Sequence, residues 1–440
     1  MNISQKTKRI IAAAVVAVFV GCVVLTAGLA TYVPRSQTLR ILSLPGDIMP
    51  RSVVESFEKQ VRKQASGKFR VKYEVAQSND MIYDLLANKK NKEKNDYDLV
   101  CVSEQMAEKL FVNELLLPIN TQATRYAPEV MNPINKIFSD RATDAGYESS
   151  ADVAGKIFAI PYLYGTSGIM ANPKKIFYSN ADGKTTGTTG GVTLEPGQLE
   201  QIRVDMKSWA VLWDAQYTGK ISMKNVARYS YTAALLYHFK NEMNPELLER
   251  IMQEAPGVGP ASNGFLKAAG DALKAQEPLR SNQYGYEISA GKSRMADTRL
   301  SYLPAIGLYW SSEAGEFMPK NKDLEFYVPD EGGALWVDSW VMPAGAKNKT
   351  AALNFINFIS EKNNAIKIMK QTNCASAVLD ARTQMRNDLK TKYADEEEWV
   401  DRYLTALLPD NTVLDRCGLL RYLGEASDTS ISNLWEEVKK

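Results

Sequence analysis

The stretch Gly332-Gly333-Ala334-Leu335-Trp336-Val337-Asp338-Ser339-Trp340-Val341-Met342-Pro343 reads as a strand that carries a single carboxylate. Residues two apart share a face in an extended chain, so Trp336, Asp338 and Trp340 point one way while Leu335, Val337 and Val341 point the other. An indole beside an acid suits a small cation. The carboxylate offers charge-assisted hydrogen bonds to an ammonium, and the indole face adds cation–π attraction. The same pattern fits a core strand whose aspartate is tied to a backbone N–H or an arginine. The rest of the chain has to separate the two readings.

Upstream, strand-like and helical runs alternate: strands over 39–44, 69–75 and 97–102, helices over 51–64 and 80–87. Strands separated by helices of this length predict a parallel sheet covered on both faces, an α/β fold whose ligands sit beyond the carboxyl ends of the strands. Those ends are Pro45-Gly46-Asp47, Gln77-Ser78-Asn79 and Ser103-Glu104-Gln105. Each is polar and opens a helix, which makes backbone N–H groups available to a ligand, and each also fits ordinary helix capping. A second alternating region follows, with strands over 221–223, 300–303 and 325–328 and helices over 231–241, 245–253 and 265–275. After the opening stretch, 350–372 reads as one long amphipathic helix with Ala352, Phe355, Ile356, Ile359, Ile366 and Met369 along its apolar stripe. Lys89 to Lys94 reads as a solvated loop, and the Gly- and Thr-rich 179–196 as a surface loop. Gly183-Lys184-Thr185 is not a phosphate loop, because Tyr178 stands where that motif needs glycine.

The chain has 440 residues and a formal net charge of +2. Its leader carries Lys6, Lys8 and Arg9, and 10–30 is then uncharged, close to the ~20 residues that span a bilayer. The basic flank stays in the cytoplasm, so everything from Thr31 onward is exported. Three routes stay open: acylation at Cys22, cleavage after Gly28-Leu29-Ala30, or an uncleaved anchor, which ranks first. Without the leader the charge falls to about −1, which gives no field for nucleic acid. An exported part of about 400 residues exceeds one core and predicts two domains. Cys101 reads as a buried thiol, while Cys374 and Cys417 are candidates for a disulfide in an oxidising compartment.

At Ser208-Trp209-Ala210-Val211-Leu212-Trp213, continuing through Tyr217-Thr218-Gly219-Lys220-Ile221, the chain resembles the spermidine/putrescine-binding family of extracellular solute-binding proteins of ABC importers. Tyr97-Asp98-Leu99-Val100, Ile160-Pro161-Tyr162 with Gly165, Ala227-Arg228, and Trp336-Val337-Asp338 before Pro343 match as well. The resemblance implies a two-lobed periplasmic-binding-protein-like α/β fold with a ligand cleft, preceded by the transmembrane or signal segment at 1–36. Residues 37–162 with 338–372 would form lobe 1, and 163–337 with 373–440 lobe 2. Crossings are expected near 162–166, 336–338 and 373–377. The receptor would be extracytoplasmic, tethered to the cytoplasmic membrane, and would deliver a polyamine to ABC permease subunits.

Carried onto this sequence, the resemblance makes Trp336 and Asp338 ligand contacts, Ser103 a small polar contact and Asp47 an acid near the first strand. Tyr229 stands where the family often places a second acid, and Glu104 is a candidate to restore it. Leu44 and Pro304 replace expected aromatics, with Tyr302 close by. Arg421, near the last expected contact region, leaves an anionic ligand open, so a receptor for a sugar or organic anion is the alternative. The chain is not expected to be an enzyme: its single histidine, His238, sits in an apolar helical stretch and excludes multi-histidine zinc sites. No Tyr-Tyr pair supports ferric-ion binding, and neither a cofactor nor a metal is called for.

Overall fold

The computed structural model describes residues 33–47, 49–65, 68–88, 96–120, 125–177, 189–239, 260–280, 286–287, 295 and 304–439. The anchor segment, the lysine-rich loop, most of the Gly/Thr-rich loop, the helix expected at 245–253, the strand expected at 300–303 and Tyr302 lie outside the described residues. Among the described residues no helix is long and apolar enough to cross a membrane.

Twelve strands are described: β1 (Thr38–Ser43), β2 (Arg70–Val75), β3 (Leu99–Val102), β4 (Leu116–Leu117), β5 (Ala159–Ala171), β6 (Ile221–Lys224), β7 (Tyr286–Glu287), β8 (Ile306–Trp310), β9 (Glu325–Tyr327), β10 (Gly333–Pro343), β11 (Ala375–Ser376) and β12 (Cys417–Leu419). The main path runs β2-β1-β3-β10-β5-β8-β6-β7. β1 pairs parallel to β2 and β3, and β6 pairs parallel to β8 and β7, so each end of the path is a small parallel sheet. Two long antiparallel strands, β5 and β10, join them, with β11 alongside β5 at Leu163 and Tyr164. Buried side chains fall into two clusters, one on the β1–β3 side and one around Trp209, Tyr231 and Trp435. This is a two-lobed α/β architecture whose lobes share the β5–β10 ribbon.

The residue types explain this ribbon. Pro161 lacks an N–H and would disrupt a regular central strand, but the register of β5 against β10 slips there: Asp338 faces Leu163 while Ser339 faces Pro161. The slip leaves Tyr162 as an extra residue of β5, while β10 itself runs on without an insertion. Trp340 is 1% exposed and packs on Tyr162 and Phe355, in the core of the first lobe. Trp340 is therefore not part of a ligand wall with Trp336.

Motifs of the resemblance act as struts. Asp98 is fully buried and accepts the N–H of Arg40, at 2.9 Å, and those of Lys347 and Asn348, at 2.9 and 2.7 Å. It thereby joins β1 to the start of the helix Lys349–Ile359. Trp209 donates its indole N–H to the carbonyl of Gly332 at 2.8 Å, which fixes the beginning of β10. Gly332 has φ of 95°, and a Cβ there would overlap the Arg416 carbonyl, so only glycine fits.

Three expectations are corrected. The helix over 350–372 is two helices, Lys349–Ile359 and Lys362–Thr372, because Glu361 is extended and Ser360 is drawn to Tyr126 by a 2.9 Å hydrogen bond. No disulfide joins Cys374 and Cys417: their thiols donate to the carbonyls of Thr372 and Val413, each at 3.2 Å. Arg421 is 2% exposed and engages Glu108 at 2.9 Å and Asp140 at 3.1 Å, so it does not face a ligand. Arg141 reaches the same Glu108 at 2.9 Å, and the Tyr422 N–H donates to it at 2.8 Å. Removing one partner of a buried ion pair leaves an uncompensated charge. Arg421→Ala should therefore lower stability by about 3 kcal/mol, and an unchanged urea midpoint would show that Arg141 alone holds Glu108.

Candidate ligand-binding site

Parallel sheets bind ligands beyond the carboxyl ends of their strands, where the next helix begins. In the first lobe that edge is Ser103 and Glu104, after β3. In the second it is Ala227 to Tyr229, in the first turn of the helix Ala227–His238 that follows β6, together with Trp310 at the end of β8. Trp336 and Asp338, midway along β10, lie between them.

The register of β10 shows how Glu104 arrives there. β12 pairs with residues 333–335 and β3 with 339–341, so on that side residues 336–338 have no strand neighbour. The chain leaves β3 at Val102, opposite Ser339, and turns into the helix Glu104–Val112. Glu104 then fills the gap, accepting the Val337 N–H on Oε2 at 2.9 Å. Its side chain is 1% exposed, and no ion pair reaches it among the described residues. Burial, countered by the Val337 N–H and reinforced by the negative charge of Asp338, pushes the Glu104 carboxyl up to about 8.

Tyr229 completes the meeting of the lobes. Its hydroxyl is held well above the usual phenol range by burial, then by the charges of Glu104 and Asp338, while Arg228 acts in the opposite direction. Its ring meets the edge of Trp310 with centroids 5.3 Å apart. Five of the residues expected from the sequence are thus brought together: Trp336, Asp338, Ser103, Glu104 and Tyr229. Asp47 ends the turn Pro45–Asp47 after β1, and its side chain lies outside the described part.

Trp310 is the site residue the sequence reading missed. The run Ile306-Gly307-Leu308-Tyr309-Trp310 is strand-like and ends at a helix, a signal available beside the expected strand at 300–303. Behind Trp310, the ammonium of Lys224 sits 4.3 Å from the ring centroid and donates to Glu313 at 2.6 Å. Arg228 pairs with Asp428 and also donates to the Arg421 carbonyl at 2.6 Å. Among the described residues, Lys224 and Arg228 thus have the acidic partners Glu313 and Asp428.

Trp336 is 8% exposed, and its indole lies against Gly165 across the ribbon. A Cβ at position 165 would overlap both that indole and the Ser311 hydroxyl, which accepts the Thr166 N–H at 3.0 Å. The indole N–H groups of Trp336 and Trp310 and the Ser103 hydroxyl are buried without a hydrogen-bond partner among the described residues. Gly165→Ala should displace the Trp336 indole and cost about 1–3 kcal/mol. Trp fluorescence and thermal melting read both effects, and an unshifted spectrum with unchanged melting would contradict the contact.

Fold and site together define a two-lobed solute receptor with acids and indoles at the junction of its lobes. The chain belongs to the family described as bacterial extracellular solute-binding protein, which it matches over residues 52–395. That membership places the folded part outside the cytoplasm, in a class of transport receptors. The chain is 24% identical over 358 residues to the spermidine/putrescine-binding periplasmic protein of Escherichia coli, covering 80% of this chain and 82% of that one. Its fold is similar to the spermidine/putrescine ABC transporter substrate-binding protein PotD of Streptococcus pneumoniae, with a TM-score of 0.62 at 20% identity, covering 92% and 98% of the chains. The Tp0655 lipoprotein of Treponema pallidum is also similar, with a TM-score of 0.56 at 17% identity, covering 91% and 99%.

Proposed function

We propose that the protein is the receptor of an ABC importer that captures a polyamine between its lobes and delivers it to the permease. The observation that carries this reading is the grouping of two carboxylates, Asp338 and Glu104, with the rings of Trp336, Tyr229 and Trp310. The E. coli relative, which carries spermidine and putrescine in its name, favours the same ligand class. An ammonium between two carboxylates gains charge-assisted hydrogen bonds, and adjacent aromatic faces attract its charge. Arg421, Arg228 and Lys224 are engaged with Glu108, Asp428 and Glu313, which weighs against an organic anion.

Closure would supply affinity because a ligand touching Ser103, on one side, and Tyr229, on the other, makes both contacts only when the lobes meet. The division of the chain into 37–162 with 338–372 and 163–337 with 373–440 accords with strands shared at the ribbon. In this reading the apolar segment over 10–30 tethers the receptor to the cytoplasmic membrane.

A neutral hydroxylated solute is the second reading. It is favoured by the unpartnered indole N–H groups of Trp336 and Trp310, which an ammonium cannot accept.

A thermal-shift screen of the full-length chain against putrescine, spermidine, maltose and glutamate separates these readings. Ligand at 100 times its dissociation constant should add about 2.7 kcal/mol. A shift with the amines alone is expected; a shift with maltose alone would transfer the site to neutral solutes. Asp338→Asn should weaken amine binding by about 2–5 kcal/mol, and Trp336→Ala by about 0.5–2 kcal/mol. Calorimetry giving wild-type affinity for Asp338→Asn would remove that carboxylate from the site.

A further inference from the structure

We propose that Lys224 is the positioning residue of the Tyr229–Trp310 side of the junction: its buried ammonium, held by Glu313, sets the Trp310 ring, and with it the Tyr229 ring, for the ligand. The inference rests on the amine-receptor reading and adds to it a residue that acts from behind the site.

The sheet itself brings Lys224 there. β6 and β8 run parallel with Ser222 opposite Gly307, and a Cβ at position 307 would overlap the Ser222 carbonyl, so the glycine permits the close approach. Ser222 and Lys224, two apart on β6, share a face. Both meet Tyr309: the hydroxyls of Ser222 and Tyr309 lie 3.1 Å apart, and the Lys224 ammonium lies 5.2 Å from the Tyr309 ring centroid. The same ammonium lies 4.3 Å from the centroid of Trp310, the next residue of β8.

A lysine whose side chain has no exposed surface is costly to bury, and here a carboxylate with two tasks offsets that cost. Glu313 accepts the Lys224 ammonium on Oε1 at 2.6 Å and meets it with Oε2 at 2.5 Å, and Oε2 also accepts the Trp310 N–H at 2.8 Å. The residue that fixes the Trp310 backbone thus also seats the cation on its ring. Lys224 reaches the neighbouring ring through its main chain. Its carbonyl accepts the Ser230 hydroxyl at 2.6 Å, in the first turn of the helix Ala227–His238 that carries Tyr229. The Tyr229 and Trp310 rings then pack with their planes at 72°. A buried ion pair adds little net stability over apolar packing, whereas a cation over an indole face holds the ring in one place, so what this lysine contributes is a preset pair of rings.

If Lys224 acts through Trp310, removing it must cost little further once the indole is gone. The test variant joins Lys224→Met to Glu313→Gln, which removes both charges together and leaves an oxygen for the Trp310 N–H. Titration calorimetry of the full-length chain in detergent, with putrescine and spermidine, should show about tenfold weaker binding for this variant, a coupling typical of side chains in contact. Added to Trp310→Leu, the same two changes should cost less than about twofold. Tryptophan emission should shift with the variant in the wild-type background and stay unshifted in the Trp310→Leu background. If the paired variant does not fold, Glu313→Gln alone, which takes away the anion that seats the ammonium on the ring, carries the same cycle. Wild-type affinity in the variant, or losses that add in full across the cycle, would overturn the positioning role and leave the receptor reading standing. Failure of both amines to bind the wild-type chain would overturn both.

Discussion

The hydrogen bond from the Val337 N–H to Glu104 closes the one gap in the central ribbon, and the arrangement of the junction depends on it. β12 and β3 both pair with β10, and neither reaches residues 336–338 on that side. A buried backbone N–H left without a partner there would cost about 1–3 kcal/mol. The side chain that satisfies it comes from the first residue after β3, so the strand that ends too early also supplies the remedy. One consequence is electrostatic: satisfying the backbone with a carboxyl places a second acid next to Asp338.

A second constraint is the treatment of positive charge around the junction. Glu108, four residues after Glu104 and on the same side of its helix, binds Arg421 and Arg141, and the Arg421 carbonyl in turn accepts from Arg228. Segments from the start, the middle and the end of the chain meet in this network. It withdraws three guanidinium groups into contacts with Glu108, Asp140 and Asp428. Buried pairs of this kind contribute little net stability over apolar packing, yet breaking one is costly, so their effect is to hold a geometry. What they hold is the helix that carries Glu104 and the turn that carries Tyr229.

Much of this was legible in residue order, for reasons that differ from element to element. The β1 to β3 alternation is short-range periodicity, and the structure follows it within a residue or two. Trp336 and Asp338 were legible because alternation puts an indole and an acid on one face. Trp340 shares that alternation, but its packing on Tyr162 and Phe355 comes from distant segments and cannot be read from β10 itself. β5 was hidden by its own composition. Pro161 and Gly165 argue locally against a central strand; tertiary contacts reverse the argument, for the proline sits at a register slip and the glycine makes room for the Trp336 indole. Arg421 looked available to a ligand because the pairing that consumes it spans over 300 positions in sequence.

The resemblance places an acid near Tyr229, and its replacement by a phenol shifts the balance of the site. A receptor with one carboxylate on each lobe would meet the two ends of a dication separately. Here Glu104 and Asp338 lie on one side of the junction and the rings of Tyr229 and Trp310 on the other. Burial raises the cost of ionising Glu104, and the negative charge of Asp338 adds to it. Where an acid would stand, the Tyr229 ring instead packs edge to face on Trp310, with centroids 5.3 Å apart. The departure from the resembling pattern at position 229 and the unusual acid at position 104 are therefore two parts of one redistribution of charge.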